Sequence, residues 1–417
     1  MNFVKSSLLT GISAIIRVLS NLIITKIVAI TMGASGMVLL GQVTNLIGFV
    51  RALSTGGVQQ GTVKLVAEIS DNQAEFKDPI NASIQISLLC STVLVLLLIL
   101  FRKTIGLYFF STTDYNYLFF VISGAVFFYS LNVIYLSVLN GLRHLRLYII
   151  ANIVGNIIGL LVSLILISFF ESHGLLIAFS INQSIAVVST LYLIRNQNWY
   201  SVILALKSKI NKKYIKKLLA YSSMNIVSAI TVPLAYVLIR KIIIKERSVD
   251  EAGYWEALIR ISSVFVMIIA TAYSTYLLPA FSILKEKKLR LELLNIYKIV
   301  IPLAIVSSSL IFLFKDYIIT ILFSRDFESV AGFFRFQLIG DTFKIITYVT
   351  GFLLIAKGKV KYYIINEIIQ FSVYVGFSLL LISKKGIEGA TMAYMVTAII
   401  CCVYQLLVFR KILWLKD

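Results

Sequence analysis

The chain has 417 residues, of which 59% are apolar and only 14% charged, and its formal net charge is +20 at pH 7. A soluble protein of this length could not bury so much apolar surface, so the composition indicates a polytopic membrane protein. The apolar runs are about twenty residues long, which excludes the alternating strands of an outer-membrane barrel. In a membrane protein the positive charge is first a signal of topology rather than of nucleic-acid binding.

Several functional classes lack their signals in the sequence. Cys90, Cys401 and Cys402 all lie in apolar runs, so no disulfide framework is predicted. There is no Walker loop, no metal-spaced His/Cys cluster and no nucleophile elbow. We therefore expect neither ATP hydrolysis nor a cofactor nor a metal site. The first seven residues lead directly into a full-length apolar run, so we expect no cleaved signal peptide.

Hydropathy predicts an all-α fold with about twelve transmembrane helices. The predicted spans are 8–32, 36–58, 79–101, 116–139, 148–170, 174–194, 218–239, 253–279, 293–314, 331–356, 362–383 and 387–409. They form two bundles of six, at 1–195 and 218–417, separated by a basic connector at 196–217. The partly apolar residues 199–217 predict a connector that lies on the cytoplasmic surface, with a lipid-headgroup sensor as the alternative.

Basic residues in the loops predict the orientation. Of the 39 lysines and arginines, 22 fall in one alternating set of loops and ends, 10 in the other set and 7 within spans. Because cytoplasmic loops carry the excess of basic residues, both termini are predicted to lie in the cytoplasm.

The two bundles are predicted to be copies of each other. Four segments of the first half resemble segments of the second half, in the same order and 212–217 residues apart; the pairs are 35–50 with 252–267, 102–115 with 315–327, 140–152 with 356–367, and 173–183 with 388–398. Four matches at one period indicate internal duplication. An even number of spans per copy predicts parallel repeats about a pseudo-two-fold axis along the membrane normal, with a substrate path between the bundles.

Charged residues inside the span 331–356 are the first candidates for function. Arg335, Asp341 and Lys344 lie there, and a charge at membrane depth costs about 2.5 kcal/mol or more unless it faces a bundle interior or a watery cavity. At an offset of 215 the first copy has Phe120 and Val126 in place of Arg335 and Asp341, so the scaffold does not require the charges. The alternative is that Asp341 and Lys344, three residues apart, neutralise each other, which leaves Arg335 unexplained.

These charges predict a polar, net cationic lumen. The candidate substrate-binding residues are Arg17, Lys26, Arg51, Arg240, Arg260, Arg335 and Lys344. The candidates for ion coupling or charge pairing are Glu256, Asp341 and Glu367. For several of them a structural interpretation stays open.

Lys26 lies late in its span and is able to reach the surface. Arg240 either lines the outer mouth or anchors its helix. Arg260 has an acidic partner four residues earlier, in Glu256. Glu367 either pairs with a lysine or takes up a proton. A cationic lumen calls for an anionic ligand such as a pyrophosphate, and its polar, aromatic remainder suits sugars.

The second half also carries a family resemblance. The segments ITVPLAYVLIRK, VDEAGYWEALIRISSVF, YSTYLLPAFSIL, FQLIGDTFKI and NEIIQF begin at residues 230, 249, 273, 336 and 366. They resemble the bacterial flippases of O-antigen and enterobacterial common antigen, which belong with the multidrug and polysaccharide exporters.

The resemblance implies a twelve-helix fold of two lobes. It further implies that an undecaprenyl-diphosphate-linked oligosaccharide moves from the inner to the outer leaflet of the bacterial inner membrane, in lipopolysaccharide or polysaccharide biosynthesis. Alternating access coupled to a proton or sodium gradient, contact with membrane lipid, and glycan polymerase and chain-length proteins as partners are part of the same expectation.

Two other functions remain open at this stage. A cation-coupled drug exporter of the same fold would need an acid-rich cavity, whereas the charges within these spans are mostly basic. A membrane oligosaccharide polymerase or ligase would need a large outer loop with acid and base residues. The longest predicted outer segments, about 240–252 and 315–330, are short.

Overall fold

The computed structural model describes residues 3–68, 77–197, 199–200, 212–284 and 286–413. The regular elements in these residues are all helices. They are α1 (Phe3–Ser54), α2 (Gln59–Glu68), α3 (Lys77–Leu100), α4 (Arg102–Phe110), α5 (Tyr117–Gly141), α6 (Leu145–Ile194), α7 (Lys212–Glu246), α8 (Val249–Ile283), α9 (Glu286–Leu313), α10 (Lys315–Leu322), a 3₁₀ helix (Arg325–Phe333), α11 (Phe334–Ala356), α12 (Val360–Lys385), α13 (Ile387–Val408) and α14 (Arg410–Leu413).

Ten helices in the described part of the chain are long and apolar enough to cross a membrane. Two of them, α1 and α6, have 52 and 50 residues. At about 1.5 Å per residue each is far longer than the roughly 30 Å hydrocarbon core, so each has to cross twice. Each contains one bend with a positive φ, at Gly33 (60°) and at Glu171 (46°).

These two bends reconcile ten helices with twelve spans. Both bends fall in the gaps between predicted spans, at 33–35 and 171–173. The prediction of an all-α polytopic membrane protein with about twelve spans is therefore confirmed. The span predicted at 331–356 differs in one respect, because its first three residues belong to the preceding 3₁₀ helix and α11 begins at Phe334.

The backbone repeats the predicted duplication at an offset of 215 residues. Arg143 and Gly358, which follow α5 and α11, have φ values of 57° and 61°. Glu171 in the α6 bend and Gly386 between α12 and α13 have φ values of 46° and 57°. A Cβ on Gly174 would collide with the carbonyl oxygen of Leu166, and 215 residues later a Cβ on Gly389 would collide with that of Leu381. The two copies therefore turn at equivalent residues.

The chain forms two compact units. Unit 1 comprises Met1–Ile24 and Leu39–Pro233, and unit 2 comprises Thr25–Val38 and Leu234–Asp417. Helix α7 thus begins in unit 1 and ends in unit 2. The predicted bounds 1–195, 196–217 and 218–417 stay a prediction about the two sequence copies. Most of the predicted connector lies outside the described residues, which exclude 198 and 201–211.

Small residues allow the helices within each unit to approach closely. In unit 1 an added Cβ on Gly155 of α6 would lie 2.9 Å from the Cβ of Ala186. In unit 2 a Cβ on Gly340 of α11 would lie 2.5 Å from the Tyr394 ring. Because lipid tails are as apolar as the core side chains, close packing of this kind, rather than hydrophobic burial, holds membrane helices together.

Candidate functional site

Unit 1 contains a polar cavity of about 240 Å³. Its lining residues come from α1, α2, α5 and α6; they are Arg17, Gln59, Gln60, Val63, Tyr129, Asn132, Val133, Leu136, Ser137, Asn140, Tyr148, Ala151, Asn152, Gly155, Asn156, Asn182, Gln183 and Ala186. None of these described residues is acidic, and eight of them are asparagine or glutamine. The cavity therefore combines positive charge with neutral hydrogen-bonding groups.

Arg17 supplies the positive charge of this cavity. Its Nη2 donates to the Oδ1 of Asn152 at 3.4 Å, and the Nδ2 of Asn152 donates to the carbonyl oxygen of Tyr148 at 2.8 Å. The guanidinium is thus held by a neutral amide. A guanidinium has five N–H donors, so Arg17 keeps both its charge and donors for a ligand.

Arg51 is the second cation of unit 1. Its guanidinium carbon lies 5.3 Å from the centre of the Tyr129 ring, a cation–π geometry. Arg51 lines a small adjoining pocket, and Tyr129 and Gln183 line both that pocket and the cavity. Arg17 and Arg51 repel each other electrostatically. An anion near both of them would relieve that repulsion.

Unit 2 contains a buried network around Asp341 of α11. Asp341 is 0% exposed. Its Oδ1 accepts hydrogen bonds from the Ser262 hydroxyl at 2.7 Å and from the Tyr394 hydroxyl at 2.8 Å. Gln337 donates to the Ser262 hydroxyl at 2.9 Å. The Oδ2 of Asp341 is buried, and Gln337 is the neighbouring amide donor that also acts on this carboxylate.

Lys344 does not form a direct ion pair with Asp341, although both side chains are described. Its Nζ lies 5.5 Å from the centre of the Tyr394 ring, and Tyr394 in turn donates to Asp341. Both Asp341 and Glu367 act on Lys344 electrostatically. One lysine therefore balances two carboxylates, and Glu367 is itself 8% exposed.

A second charged cluster of unit 2 shares one carboxylate between two arginines. The Nη2 of Arg240 lies 2.7 Å from the Oε2 of Glu256, and the Nε of Arg260 lies 3.6 Å from its Oε1. Arg240 is 2% exposed, whereas the side chain of Arg260 is 20% exposed. Arg240 thus neutralises Glu256 in the interior, and the cluster keeps a net charge of +1 at the more accessible Arg260.

Two sequence candidates stand outside these clusters. Lys26 is exposed on α1. Arg335 is exposed in the first turn of α11, and its guanidinium carbon lies 5.4 Å from the centre of the neighbouring Phe336 ring. The structure therefore brings Arg17 close to Arg51, and Arg240 and Arg260 to Glu256, whereas Arg335 lies apart from Asp341.

The carboxamides of unit 1 are the residues that sequence reasoning missed. Neutral asparagines in a span do not stand out in a count of charges. A signal was nevertheless present, because the second copy has Phe371 and Thr397 where the first has Asn156 and Asn182. Within the described residues no group of three or more His, Cys, Asp or Glu side chains is arranged to hold a metal ion.

Sequence comparisons match this chain to a protein family and to two relatives of known name. Residues 3–285 match the family model described as polysaccharide biosynthesis protein. The proteins named lipid III flippase from Escherichia coli K12 and Shigella flexneri are each 28% identical over 425 residues, covering 99% of this chain and 100% of the relative.

The solved structures show a shared fold. An inward-facing MATE family multidrug resistance transporter covers 94% of both chains with a TM-score of 0.81 and 15% identity. A MOP superfamily transporter from Pyrococcus furiosus, described as having a binding pocket of reverse polarity that suggests a different function, covers 98% of this chain and 95% of its own with a TM-score of 0.74 and 15% identity. At this identity the likeness is one of fold alone.

Proposed function

Because the chain belongs to the polysaccharide biosynthesis protein family, we propose that it is a flippase for an undecaprenyl-diphosphate-linked oligosaccharide. It moves O-antigen or a related repeat unit from the cytoplasmic to the periplasmic leaflet by alternating access. The name of the two full-length relatives, lipid III flippase, supports a lipid-linked substrate. The protein is a transporter and not an enzyme.

The observation that carries this proposal is the acid-free, arginine-containing cavity of unit 1. A diphosphate has several acceptor oxygens, and an arginine binds two of them with parallel N–H donors. Arg17 lines the cavity and Arg51 lies on the other side of Tyr129. The polar remainder of the cavity suits the sugar, while the polyprenyl chain stays in lipid.

The same observation disfavours a multidrug exporter of cationic drugs. Such a protein needs acidic or aromatic surfaces that attract a cation, whereas Arg17 in the cavity and Arg51 in the adjoining pocket repel one. A polymerase or ligase is disfavoured by the short connections on the side predicted to be periplasmic. Only Arg247 and Ser248 separate α7 from α8, and the segment between α9 and α11 is taken up by α10 and the 3₁₀ helix.

Coupling to an ion gradient belongs in unit 2. Asp341 and Glu367 are buried carboxylates in a membrane-spanning bundle, where ionisable groups commonly form proton relays. The buried carboxylate of Asp341 is the candidate acceptor for the coupling ion. We expect a proton, with sodium as the alternative, and hence an antiporter.

The cellular setting follows from topology and substrate. The excess of basic residues in one set of loops supports cytoplasmic termini, and the lipid-linked substrate supports the bacterial inner membrane. A glycan polymerase and chain-length proteins are the expected partners, since they use the flipped unit on the periplasmic side.

Complementation of a strain that lacks the gene tests the proposal. Arg17→Ala and Arg51→Ala should each reduce surface glycan by about tenfold or more, because a hydrogen bond to a charged group contributes about 1.5–3 kcal/mol. The undelivered lipid-linked oligosaccharide should accumulate on the cytoplasmic side. Lys298→Ala removes an exposed cation of α9 and is the matched control.

Variants that keep the positive charge distinguish two-point binding of the phosphate from a general electrostatic attraction. If the guanidinium binds the diphosphate at two points, Arg17→Lys should also reduce surface glycan, since lysine is a point charge. Protein levels are compared by blotting. Normal glycan export by well-expressed Arg17→Ala and Arg51→Ala variants would overturn the mechanism.

A further inference from the structure

The cavity of unit 1 contains more hydrogen-bonding groups than a diphosphate requires. Besides Arg17, its lining includes the carboxamides of Gln59, Gln60, Asn132, Asn140, Asn152, Asn156, Asn182 and Gln183. Asn132 is only 5% exposed, and its Oδ1 accepts from Thr190 at 2.7 Å. The Nδ2 of Asn156 is buried, and among the described residues it has no hydrogen-bond partner. A buried donor without a partner costs about 1–3 kcal/mol, which a ligand acceptor would recover.

The second copy of the chain shows that the helical scaffold does not need these carboxamides. At the offset of 215 residues that relates the two pairs of turns, Asn132, Asn140, Asn156, Asn182 and Gln183 are replaced by Thr347, Ile355, Phe371, Thr397 and Ala398. None of these five positions has a carboxamide in the second copy, although the helices follow in the same order and the backbone turns at equivalent residues. The scaffold therefore does not require a carboxamide at these five positions.

Gly159 makes room for the amide of Asn182, which lines the cavity. A Cβ on Gly159 would collide with the carboxamide oxygen of Asn182, so this glycine lets the amide lie flat against α6. The residue 215 positions later is Tyr374, whose ring packs 5.7 Å from Tyr394 and 6.3 Å from Tyr236, measured between ring centres. The same position therefore accommodates the Asn182 amide in unit 1 and has an aromatic side chain in unit 2.

Carboxamides match the chemistry of a sugar. Each one donates and accepts hydrogen bonds without carrying a charge, as sugar hydroxyl and acetamido groups also do. A cavity of about 240 Å³ is slightly below the roughly 300–1,000 Å³ of typical ligand pockets, so it takes one sugar ring rather than a whole oligosaccharide. The link from Arg17 to Asn152 puts the phosphate-binding cation beside the amides.

We propose that the unit 1 cavity binds one sugar ring of the substrate through its carboxamides, and that Asn156 and Asn182 determine which sugars are accepted. This inference rests on the proposed flippase function, because it assumes that the anion bound by Arg17 is a lipid diphosphate. It assigns the sugar to unit 1 and gives Gly159 the role of accommodating the Asn182 amide.

Two synthetic probes separate sugar binding from phosphate binding. The first is farnesyl diphosphate, and the second is the same lipid diphosphate carrying N-acetylglucosamine. Their affinities are measured by thermophoresis on the full-length protein in lipid nanodiscs. Asn156→Leu and Asn182→Leu should each weaken binding of the sugar-bearing probe by about three- to tenfold, the worth of one hydrogen bond. Both variants should bind farnesyl diphosphate like the wild type.

Three further variants complete the experiment. Gly159→Ala changes no polar group, and it should weaken only the sugar-bearing probe by pushing Asn182 into the cavity. Arg17→Ala should weaken both probes. Thr397→Val, at the position equivalent to Asn182 in unit 2, should change neither affinity and is the matched control.

The outcomes distinguish a failure of the flippase proposal from a failure of the sugar assignment. If the wild type binds neither probe, the flippase proposal fails and the sugar assignment fails with it. If Arg17→Ala weakens both probes but Asn156→Leu, Asn182→Leu and Gly159→Ala keep the wild-type ratio of affinities, phosphate binding stands and the sugar assignment is wrong. An equal loss for both probes in the asparagine variants would also overturn it.

Discussion

The shared carboxylate of Glu256 predicts an unequal cost for removing each member of its cluster. In Glu256→Gln, two arginines lose their counter-charge, and one of them, Arg240, is 2% exposed. Breaking a buried ion pair in this way costs about 3–5 kcal/mol. In Arg240→Met, Glu256 keeps Arg260 at 3.6 Å, so the loss is closer to that of a single charged hydrogen bond, about 1.5–3 kcal/mol.

The double variant Arg240→Met/Glu256→Gln measures the coupling energy between the two residues. It leaves a single positive charge at Arg260, which is the net charge of the wild-type cluster. It should therefore be more stable than Glu256→Gln alone, with a coupling energy of about 0.5–3 kcal/mol between the two changes. The change that removes fewer atoms is thus expected to be the more harmful one.

Unfolding by SDS titration in mixed micelles at a fixed lipid ratio measures these differences. The expected order of stability places the wild type first, Arg240→Met above Glu256→Gln, and the double variant above Glu256→Gln. Leu258→Ala, a buried apolar change on the same helix, controls for general damage to α8. Equal costs for the two single variants, or strict additivity in the double variant, would refute the idea that Glu256 serves both arginines.

Three further predictions concern unit 2 and the topology. Gly340→Ala should displace the Tyr394 ring, which would lie 2.5 Å from the new Cβ, and so break the hydrogen bond to Asp341 at a cost of about 1.5–3 kcal/mol in the same titration; wild-type stability would contradict this. Asp341→Asn should reduce glycan export and flatten its pH dependence, and an unchanged pH profile would remove Asp341 as a coupling group. A reporter active only in the periplasm should work when fused after Arg247 and stay silent after Lys209; the reverse pattern would overturn the orientation.

The sequence predicts the fold well because each apolar run is about as long as a helix that crosses a bilayer. It could not predict that the two helical halves of α1 and of α6 each meet at a single non-helical residue, since a short polar or glycine-containing gap looks the same whether the connection is one residue or several. At Gly33 the turn has a positive φ that glycine adopts without strain, but at Glu171 a residue with a side chain adopts a similar φ. The residue type therefore does not show where a helix bends, and the backbone dihedral angles do.

Sequence reasoning found the charges of the candidate site but not their partners. The pairing of Glu256 with Arg260 was visible because the two are four residues apart on one helix. The shorter contact is with Arg240, sixteen residues away on a different helix. Likewise, Asp341 is bound by Ser262 and Tyr394, which are 79 and 53 residues distant. Neutral hydroxyl partners leave no mark in a charge pattern.

The two copies solve the cost of buried charge in different ways, and the difference assigns them different tasks. Unit 2 places acids beside its cations, so its charge is largely balanced in the absence of any ligand. In the described part of unit 1, Arg17 and Arg51 instead lie against the neutral Asn152 and Tyr129. Since an unbalanced charge at membrane depth is costly, unit 1 is the copy that an anionic ligand stabilises most. By the same reasoning we propose that unit 2, with its titratable carboxylates, is the copy that responds to an ion gradient.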